Sequence, residues 1–411
     1  MELKRFTAKV AVLVLLLSAI VYLNIPPSSD ADTDERYPDM SIDVDDSQKI
    51  TSKEVSLVCS VSVDDDDQGF DQIPAKIKGR GNSTWRDPKK PYTLTFDEKI
   101  DLFGLGKAKK WVLLANYKDR SLARNALALS VADEIGCEYT SGSQFVNLYL
   151  NGKYEGVYQV CEKIETGKQR VDVDDDTTNP DFGFLVELDS HAPKEGEEGI
   201  DYFMIDGTPY SLKDLKCDAE GFEHVSSVMT SAWEALNSGV WETIREHIDT
   251  DTFARTLIVQ ELFSNTDANY SSFYFYRDVG GKVCSGPVWD FDLSAGNNDR
   301  IDRIYTDQLF VSENNQWYSV LLEHQEFRKE VSALLKEYYQ PVKDRISEEY
   351  KDMVRHTSDF NKDKDKWQTL GVHLAMTPLP QMVYREWIDH LDGTVDWLYE
   401  RLDFLYATYA N

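Results

Sequence analysis

The segment that decides the fold is RTLIVQELFSNTDANYSSFYFYRDVGGKVCSGPVWDFDLSAGN, residues 255–297. Its first part is apolar and predicts a helix over residues 257–263, which ends where Ser264 and Asn265 follow. Two strand-like runs come next, SSFYFYRD and KVCSGPVWDFD, separated by Val-Gly-Gly at residues 279–281. A glycine-rich turn between two such runs favours a β-hairpin. The segment therefore predicts a helix that leads through a polar turn into a hairpin.

Three carboxylates mark this segment as a candidate site. Asp267 lies in the polar turn, and Asp290 and Asp292 flank Phe291 at the far end of the hairpin. The backbone around them is otherwise apolar, and carboxylates are rarely buried without a partner. We therefore expect a divalent metal ion to neutralise them. The alternative is that the three acids cap turns and face solvent at the strand ends.

Charge is distributed unevenly along the chain. The 411 residues contain 73 acidic and 44 basic side chains, a net charge of −29. This balance argues against nucleic acid as a partner, because phosphate backbones are bound by clustered Lys and Arg. Residues 76–124, here called the basic island, reverse the trend with 13 bases and 5 acids. The island is a candidate site for an anionic ligand, although a flexible basic surface strip would have the same composition.

The N-terminus has the features of an export segment. Three basic residues precede an apolar run over residues 10–25, an order that leaves the N-terminus in the cytoplasm and exports the rest of the chain. Residues 1–27 are therefore predicted to be a signal peptide or signal-anchor, followed by an acidic linker over residues 28–48. The predicted location is extracytoplasmic, either secreted or anchored to the outer face of the cytoplasmic membrane.

Residues 49–165 are predicted to form a β-rich N-lobe. Residues 145–164 read as a hairpin around an Asn-Gly turn. Residues 111–115 predict a buried strand. Residues 119–136 predict a helix that Asp119 or Ser121 caps and a glycine ends. This part of the chain is thus expected to hold several antiparallel strands around one helix.

Residues 166–411 are predicted to form a mainly helical C-lobe that carries the hairpin with the acids. Apolar residues recur at helical spacing over residues 223–248, 317–354 and 379–410. The predicted fold class is α+β, with two lobes. Because ligands prefer clefts between lobes, we expect the site where the basic island meets the acids.

Cations from one lobe and carboxylates from the other suit phosphoryl transfer. That reaction needs groups that position phosphates, neutralise developing charge and orient the attacking hydroxyl. Magnesium is commonly held by one or two carboxylates together with phosphate oxygens. The chain order, a turn acid followed by a hairpin and a second acid, is that of protein kinases. A glycosidase with paired carboxylates would leave the basic island unexplained.

Five motifs carry a family resemblance. They are RGNSTW (residues 80–85), KKPYTLTF (89–96), KKWVLLANYKDRSLARN (109–125), LNGKYEGVYQVCEKI (150–164) and GPVWDFDLSAGN (286–297). Together they resemble the spore-coat-protein-H (CotH) kinase family over about residues 50–297. The resemblance implies an atypical protein-kinase-like fold, and ATP-dependent phosphorylation of Ser on secreted or spore-surface proteins.

The resemblance also implies roles for the acids. Asp267 matches the catalytic-loop acid that orients or deprotonates the acceptor hydroxyl. Asp290, with Asp292 beside it, matches the metal-binding acid. Protein kinases place a second metal-binding residue, an Asn, five positions after the catalytic acid, and Ser272 stands at that position here.

The family pattern gives further roles to the basic island and the second hairpin. Lys89 or Lys90 is expected to contact phosphate, with Arg80 nearby. Glu162 and Lys163 occupy the place of the hinge, where adenine would sit.

The sequence therefore predicts a protein kinase that uses ATP with Mg²⁺ or Mn²⁺ to phosphorylate Ser or Thr of secreted or cell-surface proteins. Because Ser is a poorer metal ligand than Asn, a two-metal site would need Asn265 or Asn269 instead. The alternative is a noncatalytic surface or cell-wall-associated binding protein that keeps the fold without the reaction.

Overall fold

The computed structural model describes residues 35–45, 48–213, 215, 217–299 and 305–410. Arg36–Asn411 form one compact unit. The predicted signal segment, residues 1–27, lies outside the described residues. Among the described helices, none combines the length and the apolar character that crossing a membrane requires. The chain is α+β, with a β-rich N-terminal part and a helical C-terminal part, which confirms the predicted class.

The N-terminal part is a closed barrel with the strand order β1-β2-β3-β4-β5-β7-β6. The strands are Asp39–Val44, Leu57–Asp64, Phe70–Gly79, Tyr92–Asp101, Lys107–Leu114, Ser143–Leu150 and Lys153–Glu162. β1 pairs with β2 in antiparallel fashion and with β6 in parallel, which closes the barrel. Side chains alternate between the two faces of each strand. In β2, for example, Cys59, Val61 and Val63 are buried in the barrel core.

The first strand corrects the predicted linker. Residues 28–48 were expected to be an acidic linker, yet Asp39–Val44 form β1. Met40, Ile42 and Val44 point into the barrel core, and the polar residues between them face outward. The strand was missed because the segment was judged by its overall acidic composition. A strand with one buried face needs an apolar residue only at every second position.

The hairpin predicted over residues 145–164 is present as β6 and β7, which pair in antiparallel fashion. Asn151 and Gly152 form its turn, with φ angles of +47° and +69°. Positive φ at both central residues is what a two-residue hairpin turn requires, and Asn-Gly accepts it at low cost.

A second, antiparallel sheet lies in the C-terminal part, with the order β12-β11-β8-β10-β9. Its strands are Phe184–Leu188 (β8), Tyr202–Ile205 (β9), Thr208–Leu212 (β10), Phe273–Arg277 (β11) and Cys284–Ser285 (β12). The predicted hairpin with the acids is thus β11 and a very short β12. Pro287 has no N–H to continue the ladder, so Asp290 and Asp292 lie in a loop beyond the hairpin.

The described helices pack around this sheet and against one face of the barrel. They are Arg124–Ile135 (α1), Ala192–Glu195 (α2), Ala219–Asn237 (α3), Trp241–His247 (α4), Thr250–Leu262 (α5), Val311–Asn314 (α6), Gln316–Leu321 (α7), Gln325–Arg355 (α8), Thr357–Trp367 (α9) and Trp387–Tyr409 (α10). The tract predicted over residues 223–248 is two helices, α3 and α4. Gly239, with φ at +70°, separates them.

Helix α1 belongs to the helical core, although the barrel strands precede and follow it in the chain. Its residues are buried on nearly every side, and it packs against α5 and α8. Asp119 Oδ2 accepts the Arg124 N–H at 2.9 Å at the start of the helix, and Gly136 ends it with φ at +78°. Gly136 was therefore predicted correctly as the residue that ends the helix. The N-cap residue is Ala123 and not Asp119 or Ser121, and the expectation of a helix surrounded by barrel strands was wrong.

Candidate active site

The three acids of the central segment lie together. Asp267 is in a short 3₁₀ turn, Thr266–Asn269, where its N–H donates to the Asn265 side chain at 3.1 Å. Asp292 is 7% exposed. Burial raises the pKa of Asp292 well above its usual range, and the neighbouring charges of Asp290 and Asp267 raise it further. The acid cluster, defined as Asp267, Asp290 and Asp292, is thus one electrostatic unit.

Asp290 is held in a strained backbone conformation. Its φ is +66°, and Ser272, which donates its hydroxyl to Asp290 Oδ2 at 3.4 Å, has φ at +58°. Such conformations cost about 1–3 kcal/mol each in non-glycine residues and occur often at functional sites. The Ser272 N–H donates to Glu187 Oε1 at 3.0 Å, so strand β8 supports this turn.

Two cations from the basic island face the acid cluster. Burial raises the pKa of Asp290, and the charges of Arg80 and Lys118 oppose that rise. Arg80 lies with its guanidinium 5.8 Å from the centre of the Trp289 ring. Lys118 is buried, with its ammonium 3.5 Å from Asp87 Oδ2. Arg80 and Lys118 are therefore the residues through which the basic island lies close to the acids, as the sequence predicted.

Lys118 was missed by the sequence-based interpretation, although it lies within the motif KKWVLLANYKDRSLARN. The available signal was its position: it follows the buried strand β5 by four residues, and loops at strand ends commonly carry functional side chains.

Lys89 and Lys90 do not reach the acid cluster. The Lys89 ammonium is buried and donates to Asp363 and to the Val157 carbonyl, both at 2.6 Å. Lys90 donates to the Trp85 carbonyl at 2.8 Å. The prediction that one of them contacts phosphate is therefore corrected: Lys89 is a structural residue that ties the barrel to α9. Adjacent lysines on a strand end cannot be told apart by sequence pattern alone.

Glu162 and Lys163 lie at the end of β7, beside a small cavity. Glu162 accepts the Gly142 N–H at 2.7 Å and pairs with Arg170, and Lys163 lies 3.5 Å from Glu165. The cavity is about 70 Å³, and Pro287 is one of its lining residues. Pockets for small-molecule ligands are usually about 300–1,000 Å³, so this one would have to open to accept a nucleobase.

A chain of buried amides connects strand β7 to the loop that carries Asp290 and Asp292, here called the acid loop. Gln159 donates to Ser143 at 2.9 Å and accepts from Asn116 at 3.1 Å. Asn116 in turn accepts from Asn125 at 2.9 Å, and Asn125 accepts the Phe291 N–H at 2.7 Å. These hydrogen bonds form a continuous chain from strand β7 of the barrel to the backbone of Phe291. They therefore help to position Phe291, which lies between Asp290 and Asp292.

The loop after Asp292 is fastened to the same region. Arg124 donates from Nε to the carbonyls of Ser294 and Ala295, at 3.0 and 3.3 Å. Asn297 donates from Nδ2 to the Asp292 carbonyl at 2.7 Å and to the Lys118 carbonyl at 3.2 Å. The acid loop is therefore held by hydrogen bonds to the first residue of α1 and to the backbone of Lys118.

The donor set fits magnesium better than a metal that needs a full protein cage. Among the described residues, no group of three or more His, Cys, Asp or Glu side chains is arranged to hold a metal ion. Mg²⁺, however, commonly takes one or two carboxylates and completes its shell with phosphate oxygens and water. Asp290 and Asp292 are the residues that could provide those carboxylates.

Asn265 and Asn269 do not replace the missing kinase Asn. The Asn265 side chain already caps the turn that carries Asp267, and Asn269 is exposed to solvent.

Comparison with known proteins identifies the class to which this arrangement belongs. The chain matches the family described as CotH kinase protein over residues 77–405, and it belongs to that family. The match begins near the end of β3 and includes the later barrel strands, the acid cluster and most of the C-terminal helices. The resemblance noted from the motifs is thereby confirmed.

One curated relative is inner spore coat protein H of Bacillus subtilis (strain 168). This chain is 26% identical to it over 284 residues, which cover 66% of this chain and 72% of the relative.

Proposed function

We propose that this protein is an ATP-dependent kinase that phosphorylates Ser or Thr hydroxyls of secreted or cell-surface proteins. The observation that supports this most directly is that Arg80 and Lys118 face Asp290 and Asp292. Cations for phosphate oxygens and carboxylates for a divalent ion are the two elements that phosphoryl transfer requires of a protein.

Within this proposal, each residue of the site has a distinct role. Asp267 orients the acceptor hydroxyl and takes its proton as the hydroxyl oxygen bonds to the γ-phosphorus and the bond to ADP breaks. Arg80 and Lys118 contact phosphate oxygens. Asp290 and Asp292 hold Mg²⁺ or Mn²⁺, which supplies positive charge against the phosphates when bound. Glu162 and Lys163 border the proposed site of the base.

The second candidate is a noncatalytic surface or coat-associated binding protein. Ser272, at the position of the kinase Asn, directs its hydroxyl to Asp290. The cavity beside Glu162 is small, and the curated relative is named for its place in the spore coat. These three observations favour a protein that keeps the fold without transfer.

We also propose an extracytoplasmic location, from the predicted export segment together with the name of the relative. Export from the cytoplasm would place the kinase with acceptors on the cell or spore surface, and would leave its supply of ATP as the main difficulty of the enzymatic interpretation.

Incubation of the purified full-length chain with labelled ATP and Mg²⁺ or Mn²⁺ tests the proposal. We expect label on the protein or on a Ser-rich acceptor, and we expect Asp267→Ala and Asp290→Ala to abolish it. Absence of nucleotide binding by calorimetry would exclude the kinase. Binding without transfer would favour the noncatalytic candidate.

A further inference from the structure

Asn297 is a buried amide that joins the two loops around the acid cluster. It has no solvent exposure. Its Nδ2 donates to the carbonyl of Asp292 in the acid loop and to the carbonyl of Lys118 in the basic island. Its own N–H donates to the Ser294 carbonyl at 2.9 Å. The residue is thus fixed at both its backbone and its side-chain nitrogen.

These bonds determine which way the amide faces. Carbonyl oxygens only accept hydrogen bonds, so the nitrogen of the Asn297 side chain must face them and the oxygen must point elsewhere. That oxygen, Oδ1, is buried and has no hydrogen-bond partner among the described residues. A buried acceptor left without a donor loses the hydrogen bonds that water would have given it, and such groups in native structures usually have a structural or functional reason.

Asp292, five residues earlier in the chain, would also be stabilised by a positively charged ligand. Its side chain is buried, and it carries the same charge as its neighbours Asp290 and Asp267 in the acid cluster. A water molecule would satisfy the Asn297 oxygen but would not relieve the repulsion among the acids. A hard divalent cation would do both, because amide and carboxylate oxygens are its preferred protein ligands.

We infer that Asn297 Oδ1 is a ligand of the divalent cation bound by the acid cluster, an inference that rests on the proposed function. Asn297 then supplies the oxygen that protein kinases take from the position of Ser272. The two-carboxylate set gains a third protein oxygen from the same loop, held rigidly before the cation arrives.

Binding of Mn²⁺ to the full-length chain, measured by the electron paramagnetic resonance signal of free Mn²⁺, tests the inference. The titration is run with a non-hydrolysable ATP analogue and requires no turnover. We expect Asn297→Ala to weaken Mn²⁺ binding about tenfold or more, as loss of a group that holds or orients a metal commonly does.

Asn315→Ala is the matched control. Asn315 is equally buried, but its oxygen already accepts the Trp317 and Tyr318 N–H groups and its nitrogen donates to the Ala268 carbonyl. We expect this variant to lose stability while its Mn²⁺ affinity stays within about twofold of the native protein, because the amide oxygen it removes is already partnered.

The outcomes separate the two proposals. Equal Mn²⁺ affinity of Asn297→Ala and the native protein overturns the inference and leaves the kinase proposal standing. A native protein that binds neither Mn²⁺ nor the analogue overturns both. If Asn297→Ala does not fold, Asn297→Ser replaces it: its shorter side chain has no oxygen at the position of Oδ1, so the same loss is expected and equal affinity is again the refuting result.

Discussion

At the residue scale, we expect Lys118 to contribute to phosphate binding and Lys90 not to contribute. The charge of Lys118 acts on Asp290 of the acid cluster, whereas the Lys90 ammonium donates to the Trp85 carbonyl. Removing a charge that stabilises transferring phosphate typically costs about 10²–10³ in rate. We expect Lys118→Met to lower kcat/KM for ATP by about this factor and Lys90→Met to change it less than about threefold. Initial rates with labelled ATP measure both, and a larger loss in Lys90→Met would restore the sequence-based assignment.

A second prediction concerns Asp292 and pH. Because burial and the neighbouring acids raise the pKa of Asp292 in the folded protein, the folded state favours the protonated acid. This stability contribution is present below the unfolded pKa of about 3.9 and is lost as pH rises through the folded pKa. Asp292→Asn carries no charge to bury, so without divalent ions it should unfold at a higher temperature than the native protein at pH 8.

Thermal unfolding between pH 4 and pH 8, with chelator present, tests this sign. We expect Asp292→Asn to be more stable by about 1 kcal/mol at pH 8, a usual gain from relieving a destabilised functional site, and the difference should shrink toward pH 4. Asp66→Asn, in an exposed turn, serves as control and should change nothing. A variant less stable than the native protein at pH 8 would contradict the argument.

The residues of the site were predicted unevenly from the sequence. Asp267, Asp290 and Asp292 could be identified from the sequence, because carboxylates in a segment rich in aromatic residues are unusual in any fold. Lys118 and Asn297 could not be identified in this way. The neighbouring sequence does not show whether a lysine faces an acid or solvent, nor whether a side-chain amide has a hydrogen-bond partner. Their roles depend on contacts between segments about 180 residues apart, which a single sequence does not reveal.

At the element scale, helix α9 fastens the barrel to the helical part through a buried ion pair. Lys89 and Asp363 are 1% and 2% exposed at the side chain and lie 2.6 Å apart. Removing one partner of such a pair leaves an uncompensated buried charge and costs about 3–5 kcal/mol. We expect Lys89→Met and Asp363→Asn each to destabilise strongly, and the double variant to lose less than the two losses combined.

Chemical denaturation of the four proteins gives the coupling free energy, expected at about 1–3 kcal/mol. Lys366→Met, on the same helix, removes an exposed lysine 3.5 Å from Glu155 and should cost less than about 1 kcal/mol. Strictly additive losses at Lys89 and Asp363 would show that the pair is not coupled.

Elements with strong periodicity or turn signals were predicted correctly, and elements defined by distant partners were not. The β6–β7 hairpin follows from its Asn-Gly turn, and the C-terminal end of α1 follows from Gly136. β1 was hidden by acidic composition, and its place in the barrel depends on parallel pairing with β6, more than 100 residues away. Helix α9 was missed because it is short and highly charged, with mainly Phe360, Asp363 and neighbouring residues buried.

At the scale of the whole molecule, the barrel and the helical part are joined by buried contacts, which the two-lobed interpretation of the sequence did not include. The barrel has its own core, yet Arg36–Asn411 form one compact unit. Besides the covalent connection after β7, Tyr37 stacks on His356 at 3.7 Å between ring centres, and the Tyr37 N–H donates to Asp359 at 2.8 Å. These contacts and the Lys89–Asp363 pair secure the barrel to the segment that carries α9.

This bracing predicts one cooperative unfolding transition. A barrel linked only through a flexible hinge would melt separately from the helical part, whereas barrel and helices that share buried contacts should unfold together. We expect a single calorimetric peak whose calorimetric and van't Hoff enthalpies agree, with far-ultraviolet dichroism and tryptophan fluorescence giving the same midpoint. Asp359→Ala removes the acceptor of the Tyr37 N–H and should lower that midpoint without splitting the peak. Two resolved transitions in the native chain would mean that the barrel is an independent lobe, free to move against the acid cluster during a catalytic cycle.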